Sequence, residues 1–110
     1  MKQKVSDYIA DYIANWGIRD VFTVTGGGAM HMNDAFGHHP KLHCTYQHHE
    51  QACAMAAEAY ARMDNRMAAV CVTTGPGATN AITGVLGGWM DSIPMLVFSG
   101  QARYATTVAA

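Results

Sequence analysis

Four short apolar runs, at residues 21–24, 42–46, 68–74 and 95–99, are separated by segments long enough for a helix. This alternation constrains the fold more than any other feature. Strands so far apart cannot be joined by tight hairpins. They pair in parallel through right-handed crossovers, which place helices on both faces of the sheet. The expected fold is α/β: a parallel sheet of at least four strands with helices on both faces. Val5, Tyr8, Ile9, Tyr12, Ile13 and Trp16 fall at helical spacing ahead of Gly17, which predicts an amphipathic first helix with a glycine cap and Tyr8, Tyr12 and Trp16 in the core. Further helices are expected over 29–36, 51–63 and 78–90. Gly84, Gly87 and Gly88 crowd the last of these, each at a cost of up to ~1 kcal/mol relative to alanine, so its backbone is expected to pack closely against a neighbour.

Two strand-to-helix junctions carry chemistry. The first is Gln47-His48-His49-Glu50-Gln51, where Glu50 stands between a strand and the small helix formers Ala52-Cys53-Ala54-Met55-Ala56-Ala57. In parallel sheets such junctions gather at the carboxyl ends of the strands, where ligands bind. Alone, Glu50 would read as a helix-initiating acid favoured by ~0.3–1 kcal/mol through the macrodipole. The second junction, Val72-Thr73-Thr74-Gly75-Pro76-Gly77-Ala78-Thr79-Asn80, breaks a strand into a helix through a glycine turn. In a purely structural turn, Thr79 or Asn80 would cap that helix. A nucleotide-binding α/β domain is the competing enzyme class. Gly26 and Gly28 follow the first strand, and Glu50 lies about twenty residues on, as in a dinucleotide fingerprint. That fingerprint would place its third glycine at His31, and it leaves Gly75-Pro76-Gly77 unexplained.

Composition narrows the partners. Hydrophobic residues make up 50% of the chain, charged residues 14%, and the net charge is −1, so nothing favours nucleic acid or a membrane surface. A chain of 110 residues can bury one core, so a single domain over 1–110 is expected. Cys44, Cys53 and Cys71 are odd in number and lie within expected strands and a helix, which suits a reducing compartment and small core residues. No run has signal-peptide or membrane-span character, and cytoplasm is the expected location. The six histidines show no metal-binding spacing, so no metal site is assigned.

The run His49-Glu50-Gln51, then Met55-Ala56-Ala57-Glu58-Ala59-Tyr60-Ala61-Arg62, then Gly75-Pro76-Gly77-Ala78-Thr79-Asn80, then Asp91-Ser92-Ile93-Pro94 resembles the pyrimidine-binding domain of thiamine diphosphate enzymes of the acetolactate synthase-like branch. The order and spacing of four motifs make the resemblance specific. It implies a thiamine diphosphate-binding fold, present here as a partial N-terminal pyrimidine domain. The central and diphosphate-binding domains of such enzymes, with the magnesium they hold, would lie outside this chain. Glu50 would be catalytic, bonding to the aminopyrimidine of the cofactor. Gly26, Gly27, Gly28, His49, Glu50, Thr73, Pro76 and Asn80 would be the cofactor-binding positions. The implied reaction decarboxylates a 2-oxo acid such as pyruvate and transfers the acyl carbanion to an acceptor. A related 2-oxo acid decarboxylase or a sugar-modifying acyl transferase is the alternative within the same resemblance. Thr25, Gly28 and His31 depart from the synthase pattern, and they bear on the reaction more than on the cofactor. The resemblance further implies a homodimer or tetramer with the site between subunits, room for FAD in the full-length protein, and no activity from these 110 residues alone.

Overall fold

The computed structural model describes residues 2–108. In chain order the elements are α1 (Val5–Asn15), β1 (Asp20–Thr23), a 3-10 turn (Gly27–Ala29), α2 (Met30–His38), β2 (His43–Tyr46), α3 (Glu50–Asp64), β3 (Ala69–Val72), α4 (Pro76–Met90), β4 (Leu96–Ser99) and a second 3-10 turn (Tyr104–Thr106). The four strands form one sheet in the order β2-β1-β3-β4, and every pairing is parallel. The α/β architecture expected from the alternation is therefore the one the chain adopts. No helix among the described residues is long and apolar enough to cross a membrane.

Two apolar layers sandwich the sheet. On one face α1 and α2 bring Ala10, Ile13, Ala35 and Phe36 against Val21, Ala69 and Cys71. On the other, α3 and α4 bring Cys53, Ala57 and Ala81 against Val70 and Val72. All four residues of β3 are buried, as expected of a strand covered on both sides. Chain reversal after α1 depends on Gly17 at φ 104°. The N–H groups of Gly17 and Ile18 reach back to the carbonyls of Ala14 and Ile13, which closes the helix as a Schellman cap.

One expectation is corrected. Tyr8, Tyr12 and Trp16 are not core: they are 57%, 60% and 64% exposed. The helix buries Ser6, Ala10 and Ile13 instead, because these smaller side chains let it sit close to the sheet. The aromatic stripe is left along one wall of an open apolar groove of about 320 Å³, whose other wall is Leu96 and Phe98 of β4. The close packing expected along α4 is found at Gly84 and Gly88. A Cβ on Gly84 would lie 2.6 Å from the Cβ of Ala54 and 3.1 Å from the backbone of Gln51 and Met55. A Cβ on Gly88 would meet Met95. The close neighbours are α3 and the Met95 side chain within this chain.

This geometry separates two glycines that look alike in sequence. Gly84→Ala gains about 1 kcal/mol of helix propensity, but overpacking against buried Ala54 costs ~1–3 kcal/mol, so the variant should be less stable. At exposed Gly87 the nearest atom to an added Cβ is Glu58 Oε1 at 3.7 Å, an ordinary contact. Gly87→Ala should therefore stabilise by up to about 1 kcal/mol. Urea unfolding of both variants checks the opposite signs.

Candidate active site at the carboxyl edge of the sheet

β1 and β3 are neighbours whose chains depart to opposite faces, β1 into α2 and β3 into α4. Such a switch point opens a crevice at the carboxyl edge of the sheet. Three segments meet there: the glycine loop after β1, the junction after β2 that carries Glu50, and the turn after β3.

Glu50 is the first residue of α3, and His49 is its N-cap. His49 Nδ1 accepts the N–H of Gln51 at 3.0 Å, so its ring serves the helix terminus rather than bonding Glu50 directly. The Glu50 carboxylate accepts a hydrogen bond from Asn80 Nδ2 at 3.1 Å through Oε2. Its Oε1 accepts none among the described residues, and it would lie only 3.4 Å from a Cβ on Gly77. The Gly77 backbone beside that oxygen is itself buried and packed on Thr73.

The turn that supplies Gly77 begins the helix earlier than expected. Gly75, at φ 64°, is the N-cap, and Pro76 occupies the first turn, where its fixed φ and missing N–H carry no penalty. Thr79 and Asn80 consequently do not cap α4. Thr79 bonds back to the carbonyl of Pro76 at 3.2 Å, while Asn80 is directed to Glu50.

Thr73 ties the glycine loop to the turn after β3. Its Oγ1 accepts the N–H of Gly28 at 3.1 Å. Its side chain also fills the space where Cβ atoms on Gly26 and Gly77 would stand, and Thr74 does the same for Gly28. Gly26 and Gly28 are bare because the loop packs on these threonines. Gly27 has nothing within 4 Å of its Cβ direction. The structure thus gathers Gly26, Gly28, Glu50, Thr73 and Asn80 at one edge, with Pro76 at the start of α4 and His49 at the N-cap of α3. Sequence reasoning missed Asn33 of α2. Its Oδ1 accepts the N–H of Gly26 at 3.3 Å, and its Nδ2 donates to Thr23 Oγ1 at 3.2 Å. Nothing local signals this role, because its partners lie up to 38 positions away in the chain.

Two thiols sit beneath the site. Burial first, and the neighbouring Glu50 charge second, push the Cys53 thiol up to about 11. Burial likewise pushes Cys71 up to about 11, against a lowering contribution from its bond with Thr23. Both are neutral packing residues at physiological pH.

Residues 3–108 match the family described as thiamine pyrophosphate enzyme, N-terminal TPP binding domain. The acetolactate synthase large subunit of Buchnera aphidicola subsp. Schizaphis graminum is 44% identical over 89 residues, which cover 81% of this chain and 16% of that protein. Acetolactate synthase 2, chloroplastic, of Zea mays is 37% identical over 99 residues, covering 90% of this chain and 16% of that protein. The acetolactate synthase large subunit of Lactococcus lactis subsp. lactis is 35% identical over 96 residues, covering 87% of this chain and 17% of that protein. The chain therefore spans 16–17% of the length of these relatives.

The raised thiols give a pH signature. Below the ordinary thiol value of 9.0 the folded and unfolded chains both hold these protons, and the thiols leave stability unchanged. Above it the unfolded chain ionises first and binds fewer protons, so stability should fall as pH rises from 9.0 towards about 11. Urea unfolding at pH 8 and at pH 10.5 measures the loss, and Cys53→Ala should remove its share of the difference.

Proposed function

This chain belongs to the thiamine pyrophosphate enzyme family as its N-terminal TPP-binding domain, and from that membership we propose that it forms the aminopyrimidine half of an acetolactate synthase-type active site. The observation that carries the reading is the Glu50 carboxylate, held by Asn80 through one oxygen with the other beside the bare backbone of Gly77. The fit to an aminopyrimidine is chemical. A carboxyl group can share a proton with a weakly basic ring nitrogen. When bound, thiamine diphosphate would supply the carbanion chemistry for decarboxylating a 2-oxo acid such as pyruvate, and Glu50, Asn80 and Gly77 would hold its aminopyrimidine.

The chain's own residues hold and orient. Glu50 holds or yields a proton at the pyrimidine nitrogen. Asn80 fixes the carboxylate's rotation, and Thr73 sets the distance between the glycine loop and the Gly77 turn. Pro76 fixes the start of α4, and His49 the start of α3, so that Glu50 projects from a rigid helix end. The magnesium and diphosphate are assigned to residues outside this chain, as are the acceptor subsite and any FAD. In this reading the enzyme is a cytoplasmic homo-oligomer whose site is completed by a second subunit, and these 110 residues alone are inactive. The nucleotide-binding alternative receives no support, since Gly26 and Gly28 are packed on threonines rather than opened to a pyrophosphate.

The test is Glu50→Gln in the full-length enzyme. Glutamine preserves the shape and the hydrogen bond with Asn80 but cannot exchange a proton. Hydrogen–deuterium exchange at carbon 2 of the bound cofactor should slow by about 10²-fold or more, and a near wild-type rate would remove Glu50 from this role.

A further inference from the structure

We infer that Gly84 is a positioning residue for the Glu50 carboxylate: its missing side chain sets the separation of α3 and α4 at which Asn80 holds Glu50. This rests on the reading of Glu50 given above. Side chains four apart lie on one face of a helix. Glu50 and Ala54 are so related on α3, and Asn80 and Gly84 on α4. The two helices therefore meet in successive rungs. At the pocket end Asn80 bonds Glu50 at 3.1 Å. One turn further along, Gly84 lies on Ala54. Beyond that, Gly88 lies beside Glu58 and Met95, and Arg62 bonds Asp91.

The Gly84 rung is the one least able to yield. A Cβ there would stand 2.6 Å from the Cβ of Ala54 and 3.1 Å from both the Gln51 carbonyl oxygen and the Met55 nitrogen. Ala54 is fully buried, and its methyl has no rotamer to change. At Gly88, by contrast, the nearest atom is the terminal carbon of Met95, whose flexible side chain can move aside. Carbon atoms pack at about 3.5–4.0 Å, so a methyl at position 84 has to part the helices by roughly 1 Å. Successive rungs are only about 6 Å apart along a helix, so the same displacement reaches Asn80 and Glu50. Their 3.1 Å bond then opens past the roughly 3.5 Å at which a hydrogen bond is lost. The carboxylate is freed to rotate although no side chain that touches it has been changed.

The experiment measures hydrogen–deuterium exchange at carbon 2 of the cofactor in the full-length enzyme, at saturating thiamine diphosphate and magnesium so that weakened binding does not enter. Gly84→Ala should slow exchange about tenfold or more, and Asn80→Ala by a similar factor, because small misplacements of a reacting group are costly. Both act through one bond, so Gly84→Ala should slow the Asn80→Ala enzyme by less than about threefold more. Gly87→Ala, the same change at an open position, should leave the rate as it is. Unchanged exchange in folded Gly84→Ala or in Asn80→Ala would overturn the inference, and so would effects that multiply in the double variant. Should Gly84→Ala not fold, Ala54→Gly in the same chain removes the opposing methyl and should restore folding, with exchange within about threefold of wild type. A folded pair that still exchanges about tenfold too slowly, or a pair that does not fold, would reduce Gly84 to a structural role. Near wild-type exchange in Glu50→Gln would instead overturn the reading of Glu50, whereas slow exchange there beside a normal rate in Gly84→Ala would overturn only this inference.

Discussion

The contact on which the rest of the site depends is the packing of the Thr73 side chain among three glycines. Gly26 and Gly77 leave the space that its methyl and Cβ occupy, and Gly28 donates to its hydroxyl. A threonine suits this position for two reasons. Its branched Cβ is stiff and fills the gap between loops, and its single hydroxyl satisfies a backbone donor that would otherwise point into a crowded edge. Remove the methyl and the loops lose their spacer. Remove the hydroxyl and Gly28 loses its acceptor.

That contact is available only because of the strand order. β1 and β3 pair directly, Thr23 opposite Cys71, so the segments that follow them emerge side by side before turning to opposite faces. Glu50 arrives from β2 on the first turn of α3, and α3 is held against α4 through Gly84 and Ala54. Close approach of those two helices is what brings Asn80 within bonding distance of Glu50. An electrostatic feature of the site is thus set by the size of a residue one turn further along α4.

Much of this was legible in the sequence because it is written in local pattern. Short apolar runs between helix-length segments led to the parallel sheet, and the break at Gly75-Pro76-Gly77 marked the turn. The helix after that turn nevertheless starts at Pro76, two residues before the expected position, because proline is itself a good first helical residue. What the sequence hid is non-local. Periodicity along α1 shows that an apolar stripe exists but not which part of it meets the sheet, and the small residues Ser6 and Ala10 took that place from Tyr8, Tyr12 and Trp16. Asn33 carries no motif, since its value lies in partners on β1, β3 and the glycine loop. Gly84 announced a close neighbour without naming it.

The order β2-β1-β3-β4 also bears on how the domain is made. During synthesis the N-terminal part of a domain leaves the ribosome first. Here the first unit able to pair is β1 with β2, joined through α2, and it holds the glycine loop with Asn33 but without Thr73 and Thr74. Thr73 and Gly77 follow only after α3 has crossed the sheet and β3 has inserted beside β1. The pocket edge has no early, self-sufficient fragment. It assembles in one late step, when a strand from the middle of the chain enters next to its first strand, and a nascent chain that stalls before that point carries β1 and β2 as a pair with one flank open.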